Sequence, residues 1–305
     1  MLGVGEAIIV QIEESVQASF IPQQLLPDCS AEALAEHIGW MSPVHYDREA
    51  GKFRTSVRSY LVKTGRHVIL IDCCGGNHKN RPYFPRFHRR VHGWLDRLAA
   101  AGVTPEQVDY VMCTHLHADH VGWNTVLRDG RWLPTFPNAT YIADRAELNR
   151  WNPQLPCYRF SPHNAFTWED SVLPVIEAGQ FVAVDHGYQV DEMLTVESMP
   201  GHTPGHVAIR LRSRGQQAVF SGDVMHVPLQ VHYPHWGTSL DDDPVLGVRS
   251  RLQLLQSAAE NHALLLPTHF VPGNGCFIRT RSEGFTFEWH SGQPSWPRLR
   301  NGAGP

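Results

Sequence analysis

The run Tyr110-Val111-Met112-Cys113-Thr114-His115-Leu116-His117-Ala118-Asp119-His120 constrains this chain more than any other segment. Its first five residues have the apolar and β-branched content of a buried strand. Its last six set three imidazoles and one carboxylate directly behind that strand. Groups this polar belong at the strand's C-terminal end, where ligand sites of α/β sheets gather. On a tight loop they can splay toward two metal centres rather than stack on one helix face. Imidazole suits Zn, Fe, Co or Mn, and the carboxylate adds a harder ligand. A single histidine is usually a hydrogen-bonded core or surface residue. Four ligand-type residues spaced H-x-H-x-D-H are not explained that way.

The chain carries 19 histidines in 305 residues, and three further motifs fit the cluster. Pro200-Gly201-His202-Thr203-Pro204-Gly205-His206 holds His202 in a turn of glycines and prolines. Ser221-Gly222-Asp223 follows the strand-like Val219-Phe220, and Pro267-Thr268-His269 follows Ala263-Leu264-Leu265-Leu266. Each is weak alone; together they supply ligands at four strand ends.

The intervening sequence reads as α/β. Tyr60-Leu61-Val62 and Val68-Ile69-Leu70-Ile71 form strands around the turn Lys63–Arg66, and Thr140-Tyr141-Ile142 is another strand. Arg89–Ala101 is an amphipathic helix presenting Val91, Trp94, Leu95 and Leu98, ended by Gly102. Thr104-Pro105-Glu106-Gln107 is a capping box. Asp243-Pro244 opens a helix to about Glu260, and the acidic run Asp241–Asp243 reads as its solvated entrance. Gly75-Gly76 lacks the G-x-x-x-x-G-K-[ST] pattern and is a plain turn. Residues 150–170 are expected to form an inserted loop, and 292–305 a loose tail.

Composition narrows the partners. An apolar fraction of 42% excludes disorder, and a net charge of −4 argues against a nucleic-acid binder. No window approaches the roughly 20 apolar residues of a membrane span. Met1–Val10 has no basic leader, so a cytoplasmic protein is expected. Six scattered cysteines form no C-x-x-C pair and read as reduced thiols, the adjacent Cys73-Cys74 included.

The pattern H-x-H-x-D-H, then a later His, an Asp and a last His, resembles the metallo-β-lactamase fold superfamily from about Tyr60 to Phe270. That resemblance implies an αβ/βα sandwich, with residues 1–305 as one domain and 1–55 as an N-terminal extension. It implies that His115, His117 and His202 hold one metal, that Asp119, His120 and His269 hold the other, and that Asp223 bridges them. Asp72, ending its strand, matches a buried Asp that orients ligands. The cofactors implied are two divalent ions, zinc first, with Mn, Fe or Co also fitting the donor set. Such a pair lowers the pKa of a shared water toward ~7 and generates hydroxide at neutral pH. Asp119 is placed to move a proton as well as bind metal.

Within the superfamily the closer resemblance is to the branch of quorum-quenching lactonases and methyl parathion hydrolase. It rests on His117–Trp123, on Gly222-Asp223-Val224-Met225-His226, and on the long segment ahead of Tyr60. His226 stands where lactonases of this branch commonly carry a Tyr that contacts the substrate carbonyl; the parathion hydrolase has His there. His226 is thus a candidate catalytic residue. Trp123 and Phe270, beside ligands, are candidate pocket residues for a small, neutral, largely apolar lactone, carboxylic ester or phosphotriester. A homodimer is implied. The alternative is a mononuclear iron oxygenase of the persulfide dioxygenase type, using part of the ligand set.

Overall fold

The computed structural model describes residues 1–271 and 275–290; the tail expected at 292–305 lies outside them. The chain opens on β1 (Leu2–Val4) and β2 (Ala7–Phe20), followed by α1 (Pro22–Leu25) and α2 (Ala31–Met41). Next come β3 (Tyr46–Asp47), β4 (Lys52–Lys63), β5 (Val68–Ile71), α3 (Trp94–Ala100) and β6 (Tyr110–Met112). Behind the histidine run lie α4 (Ala118–Val121), the small hairpin β7 (Thr125–Arg128) and β8 (Arg131–Pro134), and β9 (Thr140–Asp144). Then α5 (Arg145–Trp151), α6 (Leu173–Glu177) and β10 (Phe181–Val184) complete the first half. The first sheet runs β1-β2-β4-β5-β6-β9-β10, with β3 also on β4.

The second sheet is built from β11 (Gln189–Val190), β12 (Leu194–Ser198), β13 (Val207–Ser213), β14 (Gln216–Phe220), β15 (Leu264–Leu266), β16 (Cys276–Arg281) and β17 (Gly284–Trp289), paired in that order. Between β14 and β15 run α7 (Leu229–His232) and α8 (Pro244–Glu260).

Strand alternation explains the sandwich. Tyr60, Val62, Ile69, Ile71 and Met112 face Ile209, Phe220, Leu264 and Leu266 across the space between the sheets. Their neighbours Leu61, Leu70 and Val111 turn outward onto Trp94 and Leu98 of α3. Val219 and Leu265 turn outward onto Leu254, Leu255 and Ala258 of α8. Strands apolar on both faces read as continuous hydrophobic runs because helices cover the outer faces. This is the αβ/βα sandwich.

Two expectations are corrected here. The helix expected from Arg89 begins only at Trp94; Val91 is exposed, and Asn77 holds the preceding loop by bonds to the His92 backbone. The segment 1–55 is not appended to the sandwich, because β1 and β2 are strands of the first sheet and β2 pairs along β4. Its later part, with Leu25, Leu26, Leu34 and Met41, packs on Phe53, Val227 and Leu229. The cysteines are free thiols; Cys157 is exposed and the other five are buried.

Candidate metal centre

Parallel pairing brings the chemistry together. β5 and β6 run side by side, so Asp72 and the His115 loop emerge at one edge of the first sheet. β14 and β15 are likewise parallel, which sets Asp223 and His269 at the matching edge of the second. The turn between β12 and β13 adds His202, and its Gly201 takes a positive φ of 135° where a Cβ would stand 2.2 Å from the Gly247 nitrogen. His117 is the N-cap of α4, whose single turn presents Asp119 and His120.

Ligand atoms of His115, His117 and His202 lie within 4.8 Å of one another, as do those of Asp119, His120 and His269. A third grouping, His115, His120 and Asp223, links the two, and a fourth joins His202, Asp223 and His226. His115 Nε2 stands 3.0 Å from His117 Nδ1, which is 2.9 Å from His202 Nε2. Asp223 lies 3.2 Å from His120 Nε2 through Oδ1, and 3.0 Å and 3.1 Å from His269 Nε2 through its two oxygens. Yet His120 Nε2 and Asp223 Oδ1 are buried without a hydrogen-bond partner. Lone pairs so close that do not bond each other are converging on a common third point. This donor set of imidazoles and carboxylates fits divalent cations.

The far side of these rings is fixed as metal-binding imidazoles require. His120 Nδ1 is 2.9 Å from Asp72 Oδ2, His202 Nδ1 is 3.2 Å from Asp241 Oδ1, and His269 Nδ1 donates to Ser56 O at 2.7 Å. Asp72, in the left-handed region at φ 58°, also accepts from the Thr114 backbone and hydroxyl. Glu147 accepts from Leu116 N, Trp151 Nε1, Thr203 Oγ1 and Gly205 N, which ties the His115 loop to the His202 turn. Asp241 corrects the reading of its acidic run as solvated: its side chain is 1% exposed, and only its neighbours face solvent. Neither Asp241 nor Glu147 carries a local sequence signal, since each meets its partners only through the fold.

The electrostatics follow from burial and neighbours. Burial, reinforced by adjacent imidazoles, holds His115 and His117 well below the usual histidine range, as neutral rings. Burial opposes charge on His120, but Asp223, Asp72 and Asp119 outweigh it and raise its pKa well above that range. Burial likewise opposes charge on Asp223, and His120, His269 and His226 overcome it, holding the carboxyl well below the usual carboxylate range.

The centre opens into a cavity of about 190 Å³ walled by His117, Asp119, His202, Asp223, His226 and His269, with Phe20, Phe84, Arg86 and Leu240 beyond them. His226 lies 3.3 Å from Asp223 Oδ2, and both its ring nitrogens are buried without hydrogen-bond partners. Ser161 is shared with a second hollow of about 100 Å³ lined by Trp151, Tyr158, Phe160, Phe166 and Trp168.

Trp123 and Phe270 do not line the cavity, which corrects their expected place. Gly122 lies so close to Gly75 that a Cβ would stand 2.0 Å from the Gly75 carbonyl. The chain there turns Trp123 under the first sheet, where it stacks on Trp94 and donates to Glu14 at 2.7 Å. Phe270 faces the opposite way from His269, into the core beneath α8. The pocket aromatics are instead Phe20 and Phe84 in the cavity and those of residues 151–168 in the hollow.

A sandwich of mixed sheets with two converging ligand triads at one edge defines a class of metal-binding α/β proteins. The chain belongs to the metallo-beta-lactamase superfamily, whose family model matches residues 53–269. It is 33% identical over 180 residues to an N-acyl homoserine lactonase, AttM, of Azorhizobium caulinodans; the match covers 52% of this chain and 61% of that one. In fold it is similar to the hydrolase AbOPH of the beta-lactamase superfamily, at a TM-score of 0.77 and 24% identity over 94% of this chain and 95% of that one. It is also similar to AidC, a dizinc quorum-quenching lactonase, at a TM-score of 0.76 and 21% identity over 95% and 96% of the two chains. No described helix is long and apolar enough to cross a membrane.

Proposed function

We propose that this chain is a dinuclear metal-dependent hydrolase of an ester-like substrate: a lactone, a carboxylic ester or a phosphotriester. The observation that carries the reading is the pair of triads with Asp223 grouped against His115 and His202 of one and His120 of the other, and with His120 Nε2 and Asp223 Oδ1 buried and unpartnered. His115, His117 and His202 would hold one cation, Asp119, His120 and His269 the other, and Asp223 both. Two divalent cations, zinc first, would supply Lewis acidity and a nucleophile drawn from water at neutral pH.

The chain's own residues supply the rest. Asp119 reaches the cavity and is half-buried, placed to accept a proton on its carboxylate and return it to a leaving group. Burial keeps the His226 pKa below the usual histidine range, so it is a neutral ring with one N–H to give to a carbonyl or phosphoryl oxygen. The aromatic hollow beside Ser161 offers apolar surface for an acyl chain or aryl leaving group.

The test combines metal analysis with initial rates on a long-chain acyl lactone, an aryl carboxylic ester and an aryl phosphotriester. Two metals per chain and turnover of at least one substrate are expected, and Asp223→Ala is expected to abolish turnover and lower metal content. A lactone preference of ~10³ in kcat/KM, about 4 kcal/mol, would make the protein a lactonase despite His226. A single iron per chain with oxygen uptake on a persulfide would overturn the proposal in favour of the mononuclear oxygenase.

A further inference from the structure

The cavity wall carries four carboxylates, Asp119, Asp223, Asp241 and Asp242, and one permanent cation, Arg86. Each carboxylate has a positively charged or imidazole neighbour. Asp119 and Asp223 face His120 and His269, Asp241 meets His202 and Arg251, and Asp242 pairs with Arg150 at 2.9 Å. Arg86 makes no direct ion pair among the described residues; the Asp119 and Glu14 carboxylates favour its charge only from farther off. Its guanidinium donates from Nη1 to Thr55 Oγ1 at 2.9 Å and from Nη2 to Thr55 O at 3.3 Å, and lies 5.3 Å from the Phe87 ring. Its Nε is buried with no acceptor.

A fixed, incompletely satisfied guanidinium in a ligand cavity is a preorganised oxyanion receptor. Its planar fork matches a carboxylate, and the rotamer entropy of ordering it is already spent in the free protein. Phe84, on the same wall, keeps the approach partly apolar and would strengthen the contact by excluding water.

We propose that Arg86 is a specificity-determining residue that anchors a carboxylate carried by the substrate away from its scissile bond. Preferred substrates are then acidic esters or lactones, not the neutral ones that the sequence suggests. The proposal rests on the hydrolase reading above, and its test separates the two.

Metal-loaded protein is assayed on mono-4-nitrophenyl glutarate and on its neutral methyl ester. The wild type is expected to favour the acid by about tenfold in kcat/KM, through KM. Arg86→Gln is expected to collapse that ratio, and Arg86→Lys to retain part of it. A ratio unchanged by Arg86→Gln overturns the proposal, as does a wild type that favours the neutral ester. Should neither ester turn over, the hydrolase reading fails on these substrates and Arg86 is read by calorimetric binding of monomethyl glutarate. Binding about tenfold weaker in Arg86→Gln supports the anchor; equal binding, as for a carboxylate seated on the metals, overturns it. If Arg86→Gln does not fold, Thr55→Val, which removes the hydroxyl acceptor, is expected to shift the ratio the same way by less, and no shift overturns the anchor.

Discussion

Asp241→Asn should strip metal from one half of the centre and largely spare the other. Asp241 is walled in, with Oδ1 3.2 Å from His202 Nδ1 and Oδ2 accepting from Thr238 N at 3.2 Å. Asparagine keeps the volume but offers one acceptor oxygen to two donors. Either His202 loses the group that fixes its tautomer, or Thr238 N is left buried and unpaired, at about 1–3 kcal/mol. Loss of such an orienting carboxylate costs roughly 10- to 100-fold in metal affinity, or about 1.4–2.7 kcal/mol. The loss should fall on the site of His115, His117 and His202. Asp72→Asn is the mirror experiment, because Asp72 orients His120 of the other triad.

Competition of wild type and both variants against a chromophoric chelator resolves the two affinities. Asp223 lies beside members of both triads, so some coupling is expected and the prediction lies in the asymmetry. Equal weakening of both sites by Asp241→Asn, or the same pattern from both variants, would falsify the assignment of separate triads.

Glu147→Gln leaves all four buried donors without a charged acceptor and two of them without their acceptor oxygen, so a loss of about 2–4 kcal/mol and lower metal occupancy are expected, read by thermal unfolding with and without chelator. Gly122→Ala forces a Cβ into the Gly75 backbone and should cost about 2–4 kcal/mol in denaturant unfolding, whereas Gly3→Ala, with open space around it, should cost little. Burial pushes His45 down to about 4, against roughly 6.5 unfolded, so between these values the unfolded chain binds more protons and stability falls as pH drops. His45→Phe, which keeps a ring to stack on Trp289, should make the decline in Tm from pH 7 to 5 shallower than in wild type, and an identical slope would count against this account.

What was legible in the sequence follows how far each interaction reaches along the chain. The strands around the centre and the α8 cap are set by runs of a few residues, and they lie where the apolar pattern places them; Asp243 Oδ1 accepts from Leu246 N at 2.9 Å. The candidate ligands could be picked out because metal chemistry restricts residue type and four of them fall in one loop. Of the groups that orient them, Asp72 came only with the family resemblance, and Asp241 and Glu147 could not be picked out. Asp241 is 39 residues from His202, Asp72 is 48 from His120, and Glu147 is 56 from Thr203. A carboxylate in an acidic run looks the same whether it faces water or an imidazole until the chain has folded. Pocket residues fail for a related reason. A ligand's position is fixed by its metal, but the direction of the next side chain depends on the local turn, so Trp123 and Phe270 end in cores on either side of the site. Arg86 shows the same limit most clearly. In the sequence it is one of several arginines in a loop between two elements, and only the fold shows that it stands on the cavity wall with no carboxylate in direct ion-pair contact among the described residues, Asp119 and Glu14 acting on it only from farther off. Substrate preference in this superfamily should accordingly lie in the loops before α3 and after α5.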